Sequence, residues 1–360
     1  MKVVFLGVKK RNEKTGVGKY NQDLIDMLNQ KTSINAGFYY VPDSKYKIGR
    51  FIINYIYYPF SLFFLSRKNF YIIVDESCTF YSLFLFIKRY ALIVHDLRNR
   101  DLFKAHISSF KDYLSYLQVK FIRVKNYIVP SKFTQETLKI IKNKSEPILI
   151  PNVFDSSYEI GDKKFFLTNP LRRNDSFWFN ISDSKNYILY VGSGEPRKNF
   201  KTVLKVAQEA YTNFGLKLYT VGISKDITSE YEFCISYYNV SDVELFQLYE
   251  NAFCLVNASI YEGFGRVVIE AQSHGCPVIS TRESALAEIL GNSGIKIGDP
   301  FLSVEYLNAI EKLFNFGYRQ EVIKKGFENS LRYKKDNSRV DELYKLIFLR
   351  PDQLQKIPNH

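Results

Sequence analysis

The sequence predicts an α/β fold in which parallel strands form two sheets, one in each half of the chain. Short apolar runs of strand type alternate with helical patterns along most of the 360 residues, and this alternation is typical of parallel sheets. A polar stretch with little periodicity interrupts the alternation near the middle of the chain. Because 360 residues are enough for two hydrophobic cores, we expect a separate core in each half.

Apolar runs place the strands of both halves. In the first half, residues 1–155, the predicted strands are KVVFLGV, FYIIVDES, YALIVHD, NYIVPS and EPILIPN. The polar stretch SSYEIGDKKFFLTNPLRRNDS follows, and we expect a linker and a loop over residues 156–185. In the second half, residues 186–330, the predicted strands are NYILYVGS, LKLYTVG, EFCISYY, CLVNAS, PVIST and GIKIG.

The stretch YEGFGRVVIEAQSHGCPVIS joins two strands of the second half through a predicted buried helix, which Gly275 ends in a left-handed conformation. Glu262 precedes this helix, Gly263 and Gly265 open it, and Glu270 lies on it. Glycine lets backbone N–H groups approach a ligand closely, and a helix N-terminus favours an anion. The pattern therefore indicates a ligand with phosphates, which amides bind, and hydroxyls, which carboxylates bind.

A less specific interpretation of the same stretch stays open. Glu262 would cap the N-terminus of the helix, and Glu270 would be an exposed residue on its surface. Two glutamates around a helix that glycines open, with Gly-Cys-Pro after it, favour the ligand site.

The spacing of Glu262 and Glu270 resembles the E-x7-E motif of retaining glycosyltransferase family 4, whose members have the GT-B fold. Further segments resemble the family in the same order along the chain: TGVGKYNQDLIDML, IVHDL, YIVPSKFTQETL, ILIPNVFD, YVGSGEPRKNF and SDVELFQLYENA. The resemblance covers about residues 2–345 and is weakest over residues 35–90.

The resemblance implies two Rossmann-like domains whose parallel sheets face an interdomain cleft. The first domain would bind the acceptor, and the second would bind the nucleotide sugar. Within a last helical stretch, about Tyr318 to Phe348, residues 331–350 would form a helix that crosses back to the first domain.

The segment YVGSGEPRKNF places Arg197 and Lys198 directly before a predicted helix. Two cations and a helix N-terminus converge there, and they suit a diphosphate site built without metal. An exposed basic loop is the alternative. The resemblance implies that Arg197 and Lys198 hold the diphosphate of the donor and neutralise it as the glycosidic bond breaks.

The segment TGVGKY is neither of the better-known glycine loops. A P-loop would need glycine where Glu13 stands and serine or threonine where Tyr20 stands, and a dinucleotide fingerprint would need glycine in place of Asn21. A glycine turn at Gly16 and Gly18 remains, which opens a helix. The resemblance implies that this turn lies beside the donor sugar and phosphate.

The resemblance also implies roles around the transferred sugar. Glu262 would contact the hydroxyls of the donor sugar and support positive charge at its anomeric carbon, while Glu270 would bind the ribose. The amides of Phe264 and Gly265 would help to bind the diphosphate or the sugar. His95, at the end of a predicted strand, would approach the transferred sugar, although a lone histidine after an apolar run is more often structural.

All the excess positive charge lies in the first half of the chain. Residues 1–150 contain 25 Lys and Arg and 11 Asp and Glu, a net of +14, whereas the other 210 residues contain 25 and 26, a net of −1. The first half also contains FIINYIYYPFSLFFLSRKNF and FYSLFLFIKRY, and neither run has the roughly 18 to 20 uninterrupted apolar residues of a transmembrane helix.

These apolar runs suit a surface that rests on an anionic membrane, and they equally suit core elements beneath a solvated basic face. The charge predicts an anionic partner: lipid head groups, a lipid diphosphate acceptor, an acidic glycan or, least favoured, nucleic acid.

The spacing of the cysteines indicates the cellular compartment, and the absence of an Asp-x-Asp pair indicates whether a metal ion is bound. The four cysteines have no C-x-x-C spacing and fit a reducing cytosol, so we expect a cytoplasmic protein, peripheral on the inner face of a membrane. Metal-dependent transferases of the other major fold use Asp-x-Asp to hold Mg²⁺ or Mn²⁺. We therefore expect neither metal nor cofactor, with fixed charges stabilising the leaving group.

The sequence thus predicts a metal-independent, retaining glycosyltransferase. It would move a hexose, of the mannose or glucose type, from UDP-, GDP- or another nucleoside diphosphate sugar to a glycan or a lipid-linked acceptor. Two alternatives stay open: another GT-B enzyme, such as a sugar nucleotide epimerase, and a non-catalytic protein that binds anions or a membrane.

Overall fold

The chain divides into two compact units. Unit 1 comprises Met1–Val153 and Lys335–His360, and unit 2 comprises Phe154–Lys334. The structure is a computed structural model that describes residues 1–10, 15–31, 34–85, 88–98, 110–143, 145–154 and 186–348. The linker and loop predicted at 156–185 lie outside the described residues.

Unit 1 contains a six-stranded parallel sheet with the order β2-β1-β3-β4-β5-β6. Its strands are β1 (Lys2–Leu6), β2 (Asn35–Tyr39), β3 (Phe70–Ile73), β4 (Arg89–Ile93), β5 (Tyr127–Val129) and β6 (Ile148–Leu149). Five of the six coincide with the predicted strands. The exception is β2, with the sequence NAGFY, whose first residues are weak strand formers.

The helices of unit 1 include one segment of irregular winding. They are α1 (Gly16–Lys31), α2 (Lys47–Ile52), α3 (Tyr58–Phe63), α4 (Phe110–Phe121) and α5 (Lys132–Ile141), and a 3₁₀ helix spans Glu76–Phe84. A π-helical turn, Ile53–Tyr57, joins α2 to α3 just before Pro59. Proline has no N–H for the helical ladder, and this explains why the winding changes there.

Unit 2 contains a second six-stranded parallel sheet with the order β12-β11-β10-β7-β8-β9. Its strands are β7 (Tyr187–Val191), β8 (Lys217–Val221), β9 (Cys234–Tyr237), β10 (Cys254–Asn257), β11 (Val278–Thr281) and β12 (Ile295–Ile297). All six coincide with predicted strands, so the prediction of two parallel α/β sheets is confirmed.

Local signals mark the ends of two of the helices of unit 2. They are α6 (Phe200–Phe214), α7 (Lys225–Thr228), α8 (Asp242–Asn251), α9 (Arg266–Ser273), α10 (Leu286–Leu290), α11 (Ser303–Lys312) and α12 (Phe316–Leu331). A capping box of Ser241 and Glu244 starts α8. Gly275, with φ of 68°, follows the end of α9 in the left-handed conformation that the sequence predicts.

The helical stretch predicted from about Tyr318 to Phe348 is two helices. The first, α12, contacts α9 within unit 2, where Asn329 Nδ2 donates to Gln272 Oε1 at 2.8 Å. Between the helices the backbone N–H of Phe154 donates to the carbonyl of Tyr333 at 3.1 Å, and Phe154 pairs with Lys334. The second helix, α13 (Asp341–Phe348), belongs to unit 1.

The side chains of α13 complete a hydrophobic core of unit 1. Leu343 and Ile347 are fully buried against residues of β1 and α1. The chain therefore leaves unit 1 after Val153, forms unit 2, and returns at Lys335 to supply this last helix.

We predict that Leu343→Ala lowers the free energy of unfolding by about 2 to 5 kcal/mol, because it leaves a cavity in this core. Leu331→Ala at the end of α12 is the control, since Leu331 is 47% exposed whereas Leu343 is 0% exposed. Urea unfolding of both variants measures the difference. Equal stability of the two would contradict the packing of α13.

Candidate functional site

The predicted site residues of unit 2 lie at a topological switch point. β7 and β10 are neighbours in the sheet, and the strand order runs in opposite directions away from this pair. Ligands of such sheets bind beyond the carboxyl ends of the strands at the switch point. Arg197 and Lys198 lie in the loop after β7, and Glu262 lies in the loop after β10.

Backbone conformation and hydrogen bonds fix the positions of the two loops. Pro196–Lys198 form a 3₁₀ turn, and Asn199 takes a left-handed conformation, with φ of 51°, between this turn and α6. Asn199 Nδ2 donates to the carbonyl of Pro300 at 2.7 Å. The backbone N–H of Ile260 donates to the carbonyl of Arg197 at 2.8 Å, which ties the second loop to the first.

The side chains of the two loops meet in an ion cluster. Lys198 Nζ donates to Glu262 Oε1, and Arg197 Nη1 donates to Glu262 Oε2 at 3.0 Å. Ser259 Oγ also donates to Glu262 Oε1, at 2.8 Å. Glu262 is buried, whereas Arg197 and Lys198 keep a small part of their surface open to solvent. We call Arg197, Lys198 and Glu262 the ion cluster.

The charges of the cluster decide the ionisation of Glu262. Burial alone would raise the pKa of this carboxyl, but the positive charges of Lys198 and Arg197 outweigh burial and lower the pKa to about 2. Glu262 is therefore a carboxylate at neutral pH, and the three groups together carry a charge of +1. Glu195 contacts Arg197 Nε at 2.8 Å and is about half exposed.

The glycines that open α9 allow a close approach of the backbone. Gly265 has φ of 97° at the N-cap of α9, and a Cβ atom there would lie 2.5 Å from Leu286 Cδ2. The site therefore requires glycine at this position. Gly263 precedes Phe264, whose ring is buried and packs edge-on against Tyr333.

The structure does not support the less specific interpretation of the two glutamates. No side chain caps α9, so Glu262 is not its N-cap, and Glu270 is buried instead of exposed. Arg266 Nε donates to Glu270 Oε1 at 2.8 Å, and the Tyr249 hydroxyl donates to Glu270 Oε2 at 3.3 Å.

Unit 1 brings its own predicted residues together. α1 begins at Gly16, and the N–H of Gly18 donates to Thr15 Oγ1 at 3.1 Å. The ring of Tyr20, two residues further along α1, lies edge-on to His95 with the ring centroids 5.2 Å apart. The glycine turn and His95 are thus linked through one aromatic ring.

The hydrogen bonds of His95 define its chemistry. Its Nε2 lies 2.9 Å from the carbonyl of Val74 and must donate, because a carbonyl only accepts. Burial is the main cause of the lowered pKa of His95, so the ring is neutral at pH 7. Nδ1 is then the basic nitrogen. The backbone N–H of His95 donates to Glu76 Oε2 at 2.9 Å, and burial raises the pKa of Glu76.

Two serines of the site are absent from the sequence-based prediction. Ser259 contacts the carboxylate of Glu262, and Ser284 Oγ accepts from the Glu262 backbone N–H at 2.7 Å. Ser259 follows strand β10 by two residues, so a search for polar residues at strand ends would have found it. Ser284 has φ of 53°, which the sequence does not indicate.

Within the ranges that the structure describes, no group of three or more His, Cys, Asp or Glu side chains is arranged to hold a metal ion.

Most of unit 2 matches the model of a known protein family. The family model described as "Glycosyl transferases group 1" matches residues 172–328. "O-antigen chain mannosyltransferase B" of Escherichia coli is 30% identical in an alignment of length 179 that covers 45% of this chain and 46% of that protein. The chain spans about half the length of the curated relatives it matches.

Solved structures resemble both units. The structure of sucrose-phosphate synthase from Thermosynechococcus elongatus matches 97% of this chain and 99% of its own, with a TM-score of 0.74 and 16% identity. Anabaena HepE, solved in complex with UDP-glucose, matches 96% and 99% of the two chains with a TM-score of 0.70 and 15% identity.

The chain has the GT-B fold. The resemblance to the GT-B glycosyltransferases that the sequence indicates is therefore confirmed. At 15% to 16% identity the solved structures show the fold of this chain, and its activity has to be inferred from the residues of the site.

We predict that the free energy by which Glu262 stabilises the native state decreases as the pH falls. A carboxylate whose pKa falls from 4.5 to about 2 on folding stabilises the native state fully above pH 4.5, and this contribution is lost as the pH falls towards 2. The difference in unfolding free energy between the parent and Glu262→Gln should stay constant from about pH 8 to pH 5. Below about pH 4.5 it should shrink by up to roughly 1.4 kcal/mol per pH unit.

Urea unfolding of both proteins across this range measures the difference. Glu230→Gln is the control, because Glu230 is exposed and lies outside the cluster. A parent-to-variant difference that stays the same down to about pH 3 would show that Glu262 does not titrate with a lowered pKa.

Proposed function

We propose that the chain is a retaining glycosyltransferase of family 4 that transfers a hexose, of the mannose or glucose type, from a nucleoside diphosphate sugar. The acceptor would be a glycan or a lipid-linked glycan. Support comes from the match to group 1 glycosyl transferases and from a relative that is a mannosyltransferase of O-antigen chains. A similar fold binds UDP-glucose in HepE.

The observation that carries this proposal is the ion cluster at the switch point of unit 2. Its two cations attract an anion, although the half-exposed carboxylate of Glu195 also contacts Arg197, and Glu262 holds both cations in place before any ligand arrives. Fixed charges of this kind stabilise a developing negative charge without reorganisation. A diphosphate is a dianion or more at neutral pH, so it matches two cations just before the N-terminus of α6.

The reaction would use these charges on the leaving group. The bond between the anomeric carbon and the phosphate oxygen breaks, and its electron pair stays on the diphosphate, which Arg197 and Lys198 neutralise. The acceptor oxygen bonds to the same face of the sugar, and its proton passes to the leaving phosphate. No metal is assigned a role in this proposal.

The glutamates and the glycine-opened helices would position the donor. Glu262 contacts the hydroxyls of the sugar and supports positive charge at the anomeric carbon, and Glu270 binds the ribose. The amides of Gly263, Phe264 and Gly265 contact the diphosphate or the sugar.

In unit 1, the resemblance to the family assigns His95 to the transferred sugar, and Gly16 and Gly18 to the sugar and phosphate. A neutral His95 with Nε2 bound to a carbonyl has Nδ1 as its acceptor atom, which suits a sugar hydroxyl.

We predict that one class of nucleotide stabilises the chain in the presence of EDTA. Thermal unfolding with UDP-, GDP-, ADP- and dTDP-sugars identifies the base, since a ligand at 100 times its Kd adds about 2.7 kcal/mol. Lys198→Ala should remove the shift. Lys201→Ala is the control, because Lys201 is exposed on the first turn of α6. A shift that needs a divalent ion, or no shift with any nucleotide, would overturn the proposed donor site.

We also predict that Glu262→Ala and Lys198→Ala each reduce donor turnover about a hundredfold, because each removes about 3 kcal/mol of electrostatic stabilisation. Hydrolysis of the donor that stabilises the parent provides the assay, and circular dichroism confirms that the variants fold. Parental rates in both variants would refute the assignment of the site.

A further inference from the structure

The helices that precede β3 carry apolar residues on both faces. α2, the π-helical turn and α3 are consecutive, and we call residues 47–63 the aromatic segment. Tyr58 and Leu62 face inward and are buried in the core of unit 1. Apolar side chains on the face that the core does not cover need another partner to shield them from water.

The outward face of the aromatic segment is open to solvent. Ile48 is 76% exposed, Phe51 and Phe60 are each 59% exposed, and Phe64, directly after the segment, is 73% exposed. Large apolar side chains concentrated on one surface mark a site of interaction.

The core of unit 1 holds the segment in place. The Tyr58 hydroxyl donates to the carbonyl of Tyr39 at 2.6 Å and accepts from the N–H of Gly7 at 3.1 Å. Lys88 Nζ donates to the carbonyl of Phe63 at 3.0 Å and so satisfies the C-terminal end of α3. The outward side chains therefore project from a fixed backbone.

The charges around the segment indicate the chemistry of its partner. Residues 44–68 contain five Lys and Arg and no Asp or Glu. Lys45 and Lys47 are exposed at the start of the segment, and Arg67 and Lys68 are exposed just beyond its end. Apolar and aromatic side chains with cations at both ends match the boundary between anionic head groups and acyl chains.

We propose that the aromatic segment binds the surface of an anionic bilayer and lies in the plane of the membrane. Its aromatic and aliphatic side chains enter the boundary below the head groups, and the flanking Lys and Arg contact lipid phosphates. No helix within the described ranges is long and apolar enough to cross a bilayer. A second copy of this surface would bring like charges together, so charge favours lipid over self-association.

Binding to lipid is independent of the proposed transferase activity. The resemblance to the family implies that unit 1 binds the acceptor, and the +14 charge of residues 1–150 attracts the same anionic surface. If the acceptor is lipid-linked, the segment would bring unit 1 to the bilayer that contains it.

Vesicle sedimentation of the full chain tests the proposal, with phosphatidylcholine alone and with phosphatidylcholine mixed with phosphatidylglycerol. We predict binding to the mixed vesicles that weakens with salt. The triple variant Ile48→Ser, Phe51→Ser, Phe64→Ser should bind about a hundredfold more weakly, since three apolar side chains no longer enter the bilayer. The triple variant Lys45→Gln, Lys47→Gln, Lys68→Gln should lose about fivefold for each charge removed.

Ile140→Ser is the matched control, because Ile140 on α5 is 83% exposed and lies outside the segment. It should bind vesicles as the parent does, and all variants should keep the parental melting temperature. Equal binding to neutral and mixed vesicles would overturn the proposal, and so would parental binding by the Ile48, Phe51 and Phe64 variant. A dimer in sedimentation velocity that this variant converts to a monomer would show that a second copy covers the face instead. The nucleotide shift stays intact in each case, so failure here is distinct from failure of the donor site.

Discussion

A buried carboxylate between two cations fixes the geometry on which the proposed chemistry depends. Glu262 stays ionised because Arg197 and Lys198 offset the cost of its burial, and Glu262 in turn holds both cations, with Glu195 as a second carboxylate on Arg197. Parallel pairing of β7 with β10 brings the two loops to one point, although they are about 65 residues apart in sequence. The sheet thus brings the three side chains together, and their charges determine what they can bind.

Much of the fold follows from patterns that act over short distances. Apolar runs place eleven of the twelve described strands, because a strand buried on both faces is nearly continuous in hydrophobic residues. Gly275 and the capping box of Ser241 and Glu244 mark helix ends through local backbone chemistry. Glu262, Arg197, Lys198 and the glycines could be predicted as site residues because their residue types follow strands and open helices.

Features set by contacts distant in sequence were not predicted. The pairing of Glu262 with both cations, and the contacts of Ser259 and Ser284, arise only after the sheet has formed. No glycine or proline marks the break between α12 and α13. Tyr333 ends the helix there by packing on Phe264 and pairing with Phe154. The sequence did not decide whether the aromatic segment belongs to the core or to a membrane surface. In the structure one face of the segment packs in the core of unit 1, and the other face is exposed.

The return of the chain to unit 1 at Lys335 sets an order of events during synthesis. When the ribosome has translated residue 334, all the strands of unit 2 exist, whereas the core of unit 1 still lacks Leu343 and Ile347. The core of unit 1 can therefore be completed only after all of unit 2 has been translated, although most of unit 1 is made before unit 2. Until Leu343 and Ile347 have left the exit tunnel, the earliest strands of the nascent chain lack part of the core that buries them and expose apolar surface to other chains.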